Sequence, residues 1–130
     1  MTPDTNLLIR VVVLDDENQT ALARAELETA DRVVLTIPAL CEFCWVLRSR
    51  YQFRPNQIAE AVIALAEASN VLVEAPALNA GLAMLSAGGD FADGVIAQQG
   101  HGMGSRTFVS FDRTAVRLVQ RAGFAARAPL

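Results

Sequence analysis

Apolar positions along the chain follow two rhythms. Short β-branched runs at Arg32–Ile37, Val71–Val73 and Thr107–Phe111 alternate with longer stretches whose apolar residues recur at helical spacing. The longer stretches predict helices over Asp16–Ala30, Pro38–Tyr51, Pro55–Ala68, Pro76–Ala87, Phe91–Gln99 and Asp112–Ala122. Pro38, Pro55 and Pro76 each stand where a helix begins, the position at which a missing N–H costs least. Gly123 follows the last helical pattern as a C-terminal cap does, and a short final strand is predicted near Phe124–Ala126. Leu7–Leu14, with its valine cluster, reads locally as a buried strand. Strand–helix alternation of this kind predicts right-handed crossovers and a parallel sheet covered by helices. No repeat, linker or low-complexity segment interrupts it, so residues 1–130 are expected to form one domain.

Composition sharpens this picture. The chain is 52% hydrophobic but only 6% aromatic, so its core must be built from Ala, Val, Leu and Ile, which suits helices layered on a sheet. No apolar run approaches the roughly 18 residues of a membrane span, and no basic segment precedes Leu7–Leu14 as in a signal peptide. A soluble cytoplasmic protein without a membrane partner is expected. Cys41 and Cys44 form a lone C-x-x-C with no second pair and a distant single histidine, so a closed zinc site is not available; free thiols are expected.

All 11 basic residues are arginine, and the net charge is −3. A protein that holds nucleic acid by charge alone normally carries a basic excess. Two bound divalent cations, four positive charges, would turn −3 into +1. A metal site would therefore reconcile an acidic chain with a polyanionic substrate.

The carboxylates are unevenly placed. Asp4 is followed by Thr5 and Asn6, and preceded only by Met1, Thr2 and Pro3, the last of which cannot donate to a sheet ladder. Glu42 interrupts the apolar segment PALCEFCWVL, where an unpaired acid would cost free energy if buried. Asp90 and Asp93 stand three apart after Gly88-Gly89 and would share a helix face. Asp112 closes the pattern TFVSF. In a parallel sheet Asp4 and Asp112 fall at carboxyl ends of strands, where open α/β sheets form their ligand crevice. Clustered acids repel unless a cation or proton intervenes, and hard oxygen donors suit Mg²⁺ or Mn²⁺. Each acid also has a structural reading: Asp90 and Asp112 as helix caps, Asp93 as a complement to a helix dipole, Asn6 as the cap of a first helix with Asp4 a turn residue, Glu42 as an ion-paired side chain.

Taken in order, D-T-N-x-L-x-R at Asp4–Arg10, P-x-L-x-E at Pro38–Glu42, G-G-D-F-A-D-x-x-I-A at Gly88–Ala97 and F-D at Phe111-Asp112 resemble the PIN-domain toxins of VapBC toxin–antitoxin modules. The resemblance covers nearly the whole chain. It implies an α/β protein, a three-layer α/β/α domain around a central parallel sheet of four or five strands, with Leu7–Leu14 helical against the local reading. It implies that Asp4, Glu42, Asp93 and Asp112 hold one or two Mg²⁺ or Mn²⁺ ions, with Asp90 auxiliary and Asn6 organising the first acid. The activity implied is endoribonuclease hydrolysis of phosphodiester bonds by metal-activated water, leaving a 5′-phosphate, with no covalent intermediate. Arg10, Arg48, Arg50 and Arg113 are candidate phosphate contacts. A cognate antitoxin and a homodimer are the implied partners, and Trp45 and Phe53 are candidates to line an apolar groove for the antitoxin.

Three other readings compete with this one. A receiver domain is suggested by VVVLDDEN, but no Asp occurs between Asp31 and Asp90 and lysine is absent, so Asp15 and Asp16 become helix-capping residues. A non-catalytic RNA-binding or scaffold module is disfavoured by the full acid set, and a structure-specific DNA nuclease by the lack of DNA-clamping segments. His101, in QQGHGMGS, is expected to be an exposed loop or helix-end residue. That stretch lacks the ending of a phosphate-cradling loop.

Overall fold

The computed structural model describes residues 1–130 and divides into two compact units, Met1–Val73 and Glu74–Leu130. In the first unit the Leu7–Leu14 region is helical: α1 spans Thr5–Val12 and buries Leu8 and Ile9. The β-branched cluster yields to tertiary packing against α2 (Glu17–Thr29) and α3 (Ile37–Ser49). Asp16 caps α2 by accepting from Gln19 N at 3.0 Å, and Asp15 pairs with Arg10. The unit continues with β1 (Val33–Leu35), which precedes α3, then α4 (Pro55–Ala66) and β2 (Val71–Val73).

β1 and β2 are parallel, with Val33 beside Val71 and Leu35 beside Val73. Their far edge is occupied by the amino terminus. The Met1 ammonium donates to Arg32 O at 2.6 Å, and Val34 N donates to Met1 O at 2.9 Å. Bonds from one residue to positions on either side of Val33 are the parallel pairing pattern. Met1 thus supplies the extended segment ahead of Asp4, and buried Pro3 comes after the ladder, where it has no bond to donate. The side chains of Leu40, Phe43 and Leu47 from α3 and Ile58 and Val62 from α4 are fully buried. Asn70 Nδ2 donates to Leu27 O and Ala30 O, both at 2.9 Å, tying the end of α2 to the start of β2.

The second unit contains α5 (Ala75–Ser86), α6 (Phe91–Gly102), β3 (Phe108–Val109), α7 (Arg113–Arg121) and β4 (Ala126–Arg127). Met84, Ala97, Leu118, Val119 and Ala126 form its buried cluster, with Phe108, Val116 and Phe124 packed against it. β3 and β4 are parallel, Phe108 beside Ala126 and Val109 beside Arg127.

The helices match the periodicity to within a few residues, but the strands are shorter than their apolar runs. The pairings form two separate two-stranded sheets rather than one joined sheet of four or five strands. Arg32–Ile37 contributes three strand residues because Thr36 already caps α3, accepting from Ala39 N at 3.4 Å. Thr107–Phe111 contributes two, because Ser110 Oγ accepts from Asp112 N at 3.0 Å and turns the chain into α7.

Candidate active site

In the first unit the acids follow the carboxyl edge of the small parallel sheet. Asp4 comes three residues after the Met1 pairing and caps α1, its Oδ1 accepting from Leu7 N at 2.9 Å. The cap engages one carboxylate oxygen, and a carboxylate has capacity for more. Thr5, the next residue, donates from Oγ1 to Glu42 Oε2 at 3.1 Å. One hydrogen bond therefore joins the start of α1 to the second turn of α3 and brings Glu42 to the Asp4 end of the sheet.

Glu42 is exposed, which corrects the expectation of a costly acid in an apolar setting. α3 buries Ile37, Leu40, Phe43, Cys44 and Leu47 on one face; Glu42 and Trp45 lie off it, Trp45 being 66% exposed. Phe53 is half-buried. Cys41 and Cys44 carry thiols without a disulfide, and burial pushes the Cys41 thiol up.

Two other expectations need correction here. Arg10 is half-buried, bonded to Asp15 and donating to Tyr51 Oη at 2.9 Å, so it braces α1 rather than presenting itself to a phosphate. Asn6 is an exposed first-turn residue and not the helix cap, a place taken by Asp4. Arg48 and Arg50, at the end of α3, are exposed.

In the second unit the glycines fix where the acids stand. α5 ends near Gly88, whose φ of 89° lies in the left-handed region favoured by glycine. A Cβ on Gly94 would meet Ala80 O at 2.3 Å, so α6 crosses α5 in near-backbone contact. Gly81 leaves room for the Phe91 ring, to which a Cβ would come within 2.4 Å. Asp93, flanked by Phe91 and Gly94, is thereby set in the first turn of α6.

Asp90 occupies the N-cap position of α6 without a side-chain capping bond. Asp112 does cap its helix, Oδ1 accepting from Thr114 N at 2.9 Å and Ala115 N at 3.1 Å. Burial raises the Asp93 carboxyl above its ordinary value, and the charges of Asp90 and then Asp112 raise it further. Half-buried Asp93 thus experiences two like charges, one from the N-cap of its own helix and one from the N-cap of α7.

Neither unit gathers three or more His, Cys, Asp or Glu side chains into a ready-made ligand set. The donor chemistry is carboxylate oxygen throughout, and in the second unit Asp93 lies within range of the Asp90 and Asp112 charges, which fits a hard divalent ion. His101 is exposed at the end of α6, its ring edge-on to Phe124 at 5.5 Å. The helix-end reading of that histidine holds.

Local fold and site together describe an α/β protein whose acids sit at sheet edges and helix starts, the class to which carboxylate-dependent nucleases belong. The PIN domain family matches residues 1–120, and the chain belongs to that family. PIN domains are generally metal-dependent nucleases. A comparison with curated proteins gave no match. No helix is long and apolar enough to cross a membrane.

Proposed function

We propose that this PIN domain is a divalent-metal-dependent endoribonuclease and the toxin of a type II toxin–antitoxin module. The observation that carries the reading is the PIN family match over residues 1–120, together with the placement of Asp93 in the first turn of α6 near the charges of Asp90 and Asp112. Such an arrangement is costly in isolation and is relieved by a bound cation.

In this reading Asp4, Glu42, Asp93 and Asp112 hold one or two Mg²⁺ or Mn²⁺ ions, with Asp90 auxiliary. The metal supplies a water of lowered pKa and offsets charge on the scissile phosphate. The residues of the chain do the positioning. Asp4 and Asp112 are held by the helix N-termini they cap, each through Oδ1, and Glu42 is oriented by the Thr5 hydroxyl. Residues 1–130 act as one functional domain in this reading. A cytoplasmic setting, a homodimer and a cognate antitoxin belong to the same proposal. Exposed Trp45 and the apolar groove lined by Val11, Leu27, Leu35 and Leu65 are surfaces such an antitoxin would cover.

The test is induced expression of wild type and Asp93→Asn, with RNA ends mapped afterwards. Growth arrest and discrete cleavage are expected for wild type alone. Equal toxicity from both proteins would refute the catalytic reading.

A further inference from the structure

The chain is acidic overall, but its charge is not evenly spread. From Arg106 to the last residue five arginines face a single side-chain carboxylate, Asp112. Three of these arginines, Arg113, Arg117 and Arg121, recur every four residues along α7. That helix buries Ala115, Leu118 and Val119, which puts the arginines together on its outward face. All three are exposed and carry no ion pair. Successive members rise about 6 Å along the axis, so the ridge extends roughly 12 Å from the residue beside Asp112.

Immediately before the cap stands Phe111, 88% exposed. Burial alternates from Phe108 to Phe111, so Val109 and Phe111 both point outward while Phe108 and Ser110 are half-buried. A large aromatic face left in water beside a candidate catalytic acid and an arginine ridge has the composition of a single-strand binding surface. There, aromatic rings stack bases and guanidinium groups follow phosphates.

We propose that α7 and its preceding residue guide single-stranded RNA into the nuclease site: Phe111 stacks one unpaired base, and Arg113, Arg117 and Arg121 hold phosphates leading away from Asp112. The inference rests on the nuclease reading for its substrate, but on separate residues. Phe111, Arg117 and Arg121 are positioning residues, and Phe111 also sets a preference for bases that stack well.

Binding of labelled single-stranded oligoadenylate and oligouridylate, each roughly a dozen nucleotides long, tests it on the Asp93→Asn protein in metal-free buffer across a salt series. Replacing Arg117 and Arg121 together by Ala should reduce the slope of log affinity against log salt by about 1.4, two contacts at roughly 0.7 each. The Lys double replacement should retain the slope. Phe111→Ala should weaken oligoadenylate binding about tenfold, and oligouridylate less, with the slope unchanged; Phe111→Trp should restore it. An unchanged slope in the Ala double variant, or parental binding by Phe111→Ala, overturns the proposal. So does equal binding of an oligoglutamate peptide through the same arginines, which would mark a surface for an acidic protein. Cleavage by wild type with Mn²⁺, measured in parallel, separates the two accounts. Retained metal-dependent cleavage with an unchanged slope sinks only the guiding surface. Absent cleavage with the predicted slopes sinks only the nuclease reading.

Discussion

In Met1–Val73 each candidate acid has a hydrogen-bond donor of its own: Leu7 N for Asp4 and the Thr5 hydroxyl for Glu42. In Glu74–Leu130 the acids are held differently. Asp112 is capped into α7, while Asp93 is fixed by the glycine-contact packing of its helix and faces the charges of Asp90 and Asp112. The first arrangement holds acids in place through local donors. The second sets like charges against one another, so under the proposed function metal dependence should be written mainly in the second unit and ligand orientation in the first.

The largest expected effect breaks the packing that sets Asp93. Gly94→Ala forces a methyl group toward Ala80 O, a backbone atom that cannot swing aside. Overpacking of this kind should destabilise the protein by about 2–3 kcal/mol, read by urea denaturation. Unchanged stability would mean that the α5–α6 contact is loose.

Asp112 separates capping from metal binding. Asp112→Ala should lose about 1 kcal/mol of stability through the cap, whereas Asp112→Asn should keep nearly all of it. Both should abolish metal-dependent cleavage. If Asp112→Asn cleaves normally, the acid is only a cap.

The pH dependence of the metal-free protein sharpens the contrast further. Asp93 has a folded pKa raised above the ordinary 3.8, chiefly by burial and then by Asp90 and Asp112, so the folded state binds its proton more tightly than the unfolded state. Its contribution to stability is therefore present below that ordinary value and lost as pH rises through the raised one. Asp93→Asn should remove this loss and raise Tm at neutral pH in the absence of metal. Mn²⁺ should raise the Tm of wild type and not that of the variant. A wild-type Tm that ignores both pH and Mn²⁺ would leave the crowding without consequence.

Thr5→Val is the smallest perturbation. It removes the donor to exposed Glu42 and should cost about 0.5–1 kcal/mol or less in stability. A few-fold weaker Mn²⁺ affinity should accompany it, since the carboxylate loses its orienting bond.

Much of this was legible in the sequence for physical reasons. Helices were readable because prolines mark the starts of α3, α4 and α5 and periodicity marks their buried faces. Asp112 could be read as a cap because a short apolar run ended there. The valine cluster misled locally: a β-branched run carries the same apolar content whether it packs as strand or helix, and the contacts of α1 with α2 and α3 decide. Glu42 misled differently, because PALCEFCWVL is apolar on both faces of a helix that buries only one. Arg10 resembled a phosphate ligand until its partners Asp15 and Tyr51 were known. Phe111 is 88% exposed, and in the sequence nothing but its place before Asp-Arg distinguishes it from a core aromatic.

Mn²⁺ titration of the metal-free protein, comparing wild type with Glu42→Gln and Asp93→Asn, tests the account at its centre. One acid comes from each unit. Loss of at least about tenfold in affinity in both variants is what the proposed carboxylate set predicts. Wild-type affinity in Glu42→Gln would contradict the account, since Glu42 would then be no ligand.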